Sequence, residues 1–347
     1  MSPKKQFPGA KSSGDADLAR LLDIIGAFSR QSIVVLGDFV ADEFVAGEIS
    51  RVSREAPVLI LRHHSTELVP GGGANAANNL VDLGAKIFPV GAIGDDASGQ
   101  ALLDYFQNKG VDTSGIVRAP GWTTTTKTRF LAGFTHTNRQ QVLRVDREPD
   151  APLPADALAK LSAKARALSR RASAVLVSDY GCGSVTPALV RRLGAKLITL
   201  DSRFSLFEYS KSKITAATPN EPELESLFHT RIGTDTRKLD QLAARALRTL
   251  GSQALVVTRG KDGMVVYERG RQPHYIPVYG TDQCADVTGA GDTVIATFTL
   301  AVSAGATFVE AAHIATYAAG IVVMKRGTAT VTRAELESAL RRDAGSR

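Results

Sequence analysis

Cysteine is nearly absent: Cys182 and Cys284 are the only two in 347 residues. Two thiols build neither a disulfide framework nor a Cys-rich zinc site, so the expected setting is reducing and cytoplasmic. No apolar run reaches membrane-spanning length. The opening stretch, MSPKKQFPGAKSSGDAD, has no apolar core of a secretory signal and reads as a disordered leader over residues 1–16. Aromatic residues are sparse, and nowhere do they interleave with a basic tract. Despite a net charge of +7, that argues against a nucleic-acid partner. Part of the basic excess sits at the ends, in Lys4, Lys5, Lys11, Arg341, Arg342 and Arg347, and an anionic metabolite explains the rest equally well. Neither G-x-G-x-x-G nor G-x-x-x-x-G-K-[ST] occurs, which removes support for a dinucleotide site and for a P-loop.

What is present is a rhythm. SIVVLGD (32–38) is a short β-branched run ending in Gly-Asp, and reads as a buried strand. The form recurs at KIFPVGAIGDD (86–96), AVLVSDYG (174–181), KLITLDSR (196–203), ITAATPN (214–220) and ALVVTRG (254–260). Helical spacing fills 17–29, 73–83, 97–109, 156–171, 186–193 and 236–250. Strands alternating with helices predict an α/β fold with a mostly parallel sheet covered on both faces. Toward the C-terminus, 293–305 is apolar all round, as in a buried helix, and 310–327 continues helically. A capping box, Thr332 with Glu335, opens a last helix over 332–343.

Several strand candidates end in polar residues: Asp38, Asp95, Asp179, Asp201, Asn220 and Arg259. Ligands of open α/β sheets bind outside the carboxyl ends of the strands, so this set sketches the rim of one site. Any single member is explained as well by turn chemistry. Two segments break the rhythm, at about 43–64 and 122–146, rich in Thr, Val and Phe without helical period. They predict short antiparallel strands inserted into the α/β body as a lid, whose exposed edge invites a second copy of the chain.

The stretch DVTGAGDT (286–293) offers the small residues of an anion-binding loop but no lysine. Gly289 and Gly291 allow backbone angles closed to other residues, and the loop leads into the helix predicted from 293, whose N-terminus favours an anion. Asp292 closes the loop. Phosphoryl transfer to a hydroxyl needs an acceptor for the proton and donors for the moving charge. Asp292 and the amides supply one each; a plain helix cap is the alternative for Asp292.

DVTGAGDT resembles the C-terminal signature of the PfkB, or ribokinase-like, sugar kinases, and PGGGANAANNLVDLGAKIFPVGAIGDDASGQ (70–100) resembles their N-terminal one. The likeness runs in order from about 31 to 328 and implies one ribokinase-like domain over 17–347: a central α/β sheet with a small β lid. Within the family, EISRVSREAPVLIL (48–61), TKTR (126–129), NRQQVLRVD (138–146) and TPNEPELE (218–225) are similar to the heptose-7-phosphate kinases. The resemblance implies ATP-dependent phosphorylation of the anomeric hydroxyl of D-glycero-D-manno-heptose 7-phosphate, on the route to ADP-heptose and lipopolysaccharide. It is the stand-alone kinase form that the chain length resembles. Another sugar or nucleoside kinase of the family, such as a ribokinase or fructokinase, and a non-catalytic sugar sensor are the alternatives.

By position, the resemblance makes Asp292 the catalytic base and the amides of Gly289, Ala290 and Gly291 the anion hole. Asn220 and Glu223 match an N-x-x-E motif that acts on Mg²⁺ and phosphate, often through water. Thr258, Arg259, Gly260 and Gly263 fall where ATP is held, although the two glycines would also serve to turn a hairpin. Asp38, Asp42, Gly72, Gly73, Asn75 and Asp179 fall on the sugar side. Lys127, Arg129, Arg139 and Arg144, in the second lid segment, are the candidates for the phosphate the substrate already bears. A monovalent cation is counted among the candidate cofactors, and a homodimer through the lid sheet among the assemblies. One departure stands out: Cys182, in SDYGCG, replaces a lysine usual in the similar kinases.

Overall fold

The computed structural model describes residues 18–133, 139–280 and 285–345. The expected leader, Cys284 and positions 134–138 of the second lid segment lie outside the described residues. In chain order the elements are α1 (Leu18–Gly26), β1 (Ser32–Gly37), β2 (Phe39–Val52), β3 (Leu59–Gly72), α2 (Gly73–Asp82), β4 (Lys86–Val90), β5 (Ala92–Gly94), α3 (Ala97–Asn108), β6 (Val117–Ala119), β7 (Thr126–Gly133), β8 (Gln140–Arg147) and α4 (Ala155–Ser169). Then follow β9 (Ala174–Asp179), α5 (Pro187–Val190), β10 (Ile198–Ser202), β11 (Ala216–Ala217), α6 (Glu221–Phe228), α7 (Thr236–Leu250), β12 (Ala254–Thr258), β13 (Met264–Glu268), β14 (His274–Ile276), α8 (Ala290–Ser303), α9 (Phe308–Val322) and α10 (Arg333–Gly345).

Eight strands form the main sheet in the order β14-β13-β12-β11-β10-β9-β1-β4. The six from β4 to β12 run parallel, and β13 and β14 add antiparallel at one edge. The parallel strands are apolar through their middles because successive side chains enter opposite cores. In β1, Ile33 and Val35 join a core with α1, α2, α3, α8, α9 and α10, while Val34 and Leu36 join one with α4, α5, α6 and α7. Thr332 and Glu335 form the reciprocal cap predicted before α10.

Six differences from the sequence reading bear on the site. The run 86–96 splits: β4 stays in the sheet, while β5 leaves to pair with β6, so Asp95 lies off the rim and pairs with Arg118 at 3.0 Å. The strand expected at 214–220 shrinks to two residues, and the helix at 186–193 to four. Helix α8 begins at Ala290 rather than 293. The lid strands are longer than expected: β2 leaves β1 after Asp38 alone, and β2 and β3 form a hairpin of 14 residues each. The lid order is β3-β2-β7-β8, with β7 parallel to β2 instead of antiparallel. The chain between β3 and β7 passes through the main body and re-enters the lid in the direction of β2, opposite to β3.

Candidate active site

The site forms where the lid, the sheet end and the start of α8 converge. Gly72 ends β3 with φ +54°. A Cβ there would stand 3.0 Å from the Asp38 carbonyl oxygen, so only glycine lets the lid strand turn this closely into α2. The Gly73 N–H donates to that same carbonyl at 2.9 Å. Two residues on, Asn75 is fully buried and donates through Nδ2 to Asp292 Oδ2 at 2.9 Å. The Tyr180 hydroxyl donates to the other carboxylate oxygen, Oδ1, at 2.8 Å. Asp292 lies in the first turn of α8, whose N-cap is Gly289, so the plain side-chain cap considered from sequence is not its role.

Burial is the largest influence on Asp292 and pushes its pKa from an ordinary 3.8 up to about 7. The Asn75 and Tyr180 bonds oppose that rise, Asp42 adds to it and Lys127 lowers it. A carboxyl that titrates near neutrality, with oxygens directed by two donors, is equipped to accept a proton. Beside it the first-turn N–H groups of α8 have no carbonyl within their own helix to bond. The Ala290 N–H closes a turn on the Val287 carbonyl at 3.2 Å, so among the three expected anion-hole amides this one is already engaged.

The sugar-side candidates separate into presented and committed groups. Asp42 is buried on β2, where Arg129 Nη1 pairs with its Oδ1 at 2.6 Å and the Thr328 hydroxyl donates to its Oδ2 at 3.2 Å. Arg129 also lies over the Phe44 ring, so it serves Asp42 rather than standing open to a phosphate. Arg144 is clamped by Asp146 through two bonds, 2.7 and 2.6 Å. Arg139 is exposed just before β8. Lys127 is half-buried, its Nζ 5.5 Å above the Tyr180 ring, and among the described residues it forms no ion pair.

Asp38 and Asp179, both expected on the sugar side, hold several protein donors. Asp38 accepts the N–H groups of Tyr180, Cys182 and Ser184 at 2.9, 2.9 and 2.8 Å. Its carboxylate shapes the 180–184 loop, and burial lifts its pKa to about 6. Asp179 accepts from the Gly181 N–H and from the hydroxyls of Ser202, Ser205 and Tyr209, all within 3.0 Å. Three of the four donors meet Oδ2, which is thereby fully engaged, and only the Gly181 N–H meets Oδ1. The Cys182 thiol is pushed up to about 11, by burial first and Asp38 second, so it stays protonated at neutral pH.

On the nucleotide side, Asn220 and Glu223 cap α6 reciprocally: the Glu223 N–H donates to Asn220 Oδ1 at 2.8 Å, and the Asn220 N–H to Glu223 Oε2 at 2.9 Å. Thr258 bridges to Asn220 at the adjoining strand end. Arg259, expected on the ATP side, has its guanidinium buried against Glu221 at 2.7 Å and over the Tyr275 ring. Gly260 and Gly263 turn β12 into β13, as the hairpin alternative anticipated. Asp201, at the end of β10, joins the two halves. Burial first, then the carboxylates of Glu223, Asp292 and Asp179, hold it well above the ordinary carboxylate range.

Tyr180, Arg203, Asn79 and Thr328 were not assigned from sequence. Arg203 is the positive charge that acts on both Glu223 and Tyr180. Tyr180 and Arg203 carried one signal: each closely follows the terminal aspartate of a strand candidate.

The family model for pfkB family carbohydrate kinases matches residues 30–335. The chain is 36% identical over 323 residues to the bifunctional protein HldE of Desulfatibacillum aliphaticivorans, covering 91% of this chain and 64% of that protein. It is 37% identical over 314 residues to HldE of Geobacter sulfurreducens, covering 88% and 62%. The chain thus spans a little under two thirds of the length of these relatives. Among solved structures it superimposes on Arabidopsis thaliana ribokinase complexed with ribose and ATP with a TM-score of 0.69 at 21% identity, covering 90% of this chain and 99% of that one. Escherichia coli phosphofructokinase-2 in complex with fructose-6-phosphate gives 0.71 at 16%, covering 90% and 98%. The fold is ribokinase-like, with a mostly parallel sheet flanked by helices and a small second sheet as lid.

Proposed function

This chain belongs to the pfkB family of carbohydrate kinases and is an ATP-dependent sugar kinase, and from that premise we propose that it phosphorylates the anomeric C1 hydroxyl of D-glycero-D-manno-heptose 7-phosphate. The observation that carries the reaction type is Asp292, buried in the first turn of α8 with a pKa of about 7. There it takes the proton from the attacking hydroxyl while the helix N-terminus beside it receives the transferring phosphoryl group. The heptose assignment is supported by the HldE relatives, by the lid motifs, and by Lys127 beside Asp292 as a cation for the substrate phosphate, with exposed Arg139 as the second.

Asn220, Glu223 and Thr258, at and beyond the ends of β11 and β12, would hold ATP. We assign Mg²⁺ as the divalent ion. Asn220 and Glu223, joined in the cap of α6, offer the amide and carboxylate oxygens that suit a hard cation held through water. Among the described residues no group of three or more His, Cys, Asp or Glu side chains is arranged to hold a metal directly. When bound, the ion neutralises charge on the nucleotide phosphates. A second copy of the chain packs against the lid, which exposes Val52, Val58, Leu59, Val142, Leu143 and Val145. Reaction with ATP places the enzyme in the cytoplasm; among the described residues no helix is long and apolar enough to cross a membrane.

The test is a substrate screen with purified protein, ATP and Mg²⁺, following ADP release. D-glycero-D-manno-heptose 7-phosphate is expected to be the preferred acceptor, with the product phosphorylated at C1. ADP release with ribose or fructose, and none with the heptose phosphate, overturns the substrate assignment.

A further inference from the structure

Helix α2 carries a buried polar chain that ends on Asp292. Asn79 Nδ2 donates to the Asn75 backbone carbonyl at 3.0 Å. A carbonyl only accepts, so this bond fixes which way round the Asn79 amide stands. The same Nδ2 donates to Asn75 Oδ1 at 3.2 Å, which turns the Asn75 amide so that its own Nδ2 faces Asp292 Oδ2 at 2.9 Å. Asn79 Oδ1 in turn accepts from the Thr293 hydroxyl at 3.0 Å. Asn75, Asn79 and Thr293 are fully buried and Asp292 is 3% exposed, so water does not substitute for a lost partner. Reversing the Asn75 amide would set oxygen against carboxylate at one end and NH₂ against NH₂ at the other, leaving buried groups unpaired at both.

We propose that Asn79 is a positioning residue for phosphoryl transfer: by directing the Asn75 amide, it keeps a hydrogen-bond donor on Asp292 Oδ2. The inference rests on the reading of Asp292 as the base. Asn75 itself touches the reacting carboxylate; Asn79 acts only through it. The Asn75 bond is the strongest of the influences that hold the Asp292 pKa down against burial. Thr293 lies one step further back, and its hydroxyl has a second acceptor in the Gly289 carbonyl at 3.2 Å. Loss of Thr293 therefore leaves the Asn79 amide anchored on the Asn75 carbonyl.

The test compares Asn79→Ala with Thr293→Val, each of which removes buried hydrogen bonding, so that both lower stability. The readout is the carboxyl ¹³C titration of Asp292 in the unliganded protein, assigned by its absence from Asp292→Asn. Asn79→Ala is expected to move that midpoint upward by about one pH unit, the size of one net hydrogen bond, and to move the acid limb of kcat/KM with it. Thr293→Val is expected to leave the midpoint in place. Should Asn79→Ala fail to fold, Asn79→Ser carries the same expectation, its hydroxyl reaching the Asn75 carbonyl but not Oδ1. An unmoved midpoint in a folded Asn79 variant, or an equal shift in both variants, overturns the proposal. Full turnover by Asp292→Asn would instead overturn the base assignment and leave the titration result standing.

Discussion

At the scale of single residues, the polar strand ends divide by the donors around them. Asp38 and Asp179 stand on the rim as their spacing predicts, yet seven hydrogen bonds hold them to loops and hydroxyls. Among the described residues Asp292 has two donors, and burial without full compensation is what makes it titrate near 7. Its charge then has two consequences. As proton acceptor it must be ionised, so kcat/KM is expected to fall about tenfold per unit as pH drops below its pKa. Asp292→Asn is expected to lower kcat by about 10²–10⁴. For stability the sign is opposite. The folded state takes up this proton near 7 and an unfolded aspartate near 3.8, so between those values the folded state binds more protons and stability falls as pH rises. Asp292→Asn carries no charge, and its melting temperature is expected to exceed that of the wild type at pH 8, the gap closing toward pH 4. A variant less stable than the wild type at pH 8 would contradict the desolvation account.

At the scale of elements, the position of one helix start decides the site. The loop 286–293 was legible because small residues before an apolar run mark a helix N-terminus. The start itself was misplaced by three residues, since Ala290, Gly291 and Asp292 are locally compatible with either loop or first turn. Gly289 settles it, with φ +78° as N-cap, and a Cβ there would meet Asn75 Nδ2 at 2.6 Å. Gly289→Ala is therefore expected to cost about 1–3 kcal/mol in urea unfolding and to displace the Asn75 amide from Asp292. A kcat loss of at least tenfold at a temperature where the variant is fully folded checks the second effect. Unchanged kcat would mean that the amide accommodates the methyl group. Boundaries elsewhere failed for a related reason: β11 is two residues long because the sheet needs only those pairings there, and no local preference encodes that.

At the scale of the whole molecule, two cores on opposite faces of one sheet account for the apolar strand middles, and the lid carries a cluster of exposed apolar side chains. Around Val45, Phe130 and Leu143 the lid face forms a groove of about 530 Å³. If a second copy covers it, Leu143→Lys is expected to shift the sedimentation coefficient from dimer to monomer while each monomer stays folded by circular dichroism. A monomeric wild type at micromolar concentration would remove the premise. The sequence by itself determined the α/β class, the order of most elements and the residues that open α8, because periodicity, β-branched runs and glycine are properties of a few neighbours along the chain. Only the tertiary structure decided that β7 runs parallel to β2, that Arg129 and Arg259 belong to Asp42 and Glu221, and that Tyr180, Asn75 and Asn79 converge on Asp292. Those partners lie tens to hundreds of residues apart, and the donors and burial that set a carboxyl's role arise only when the chain has closed around it.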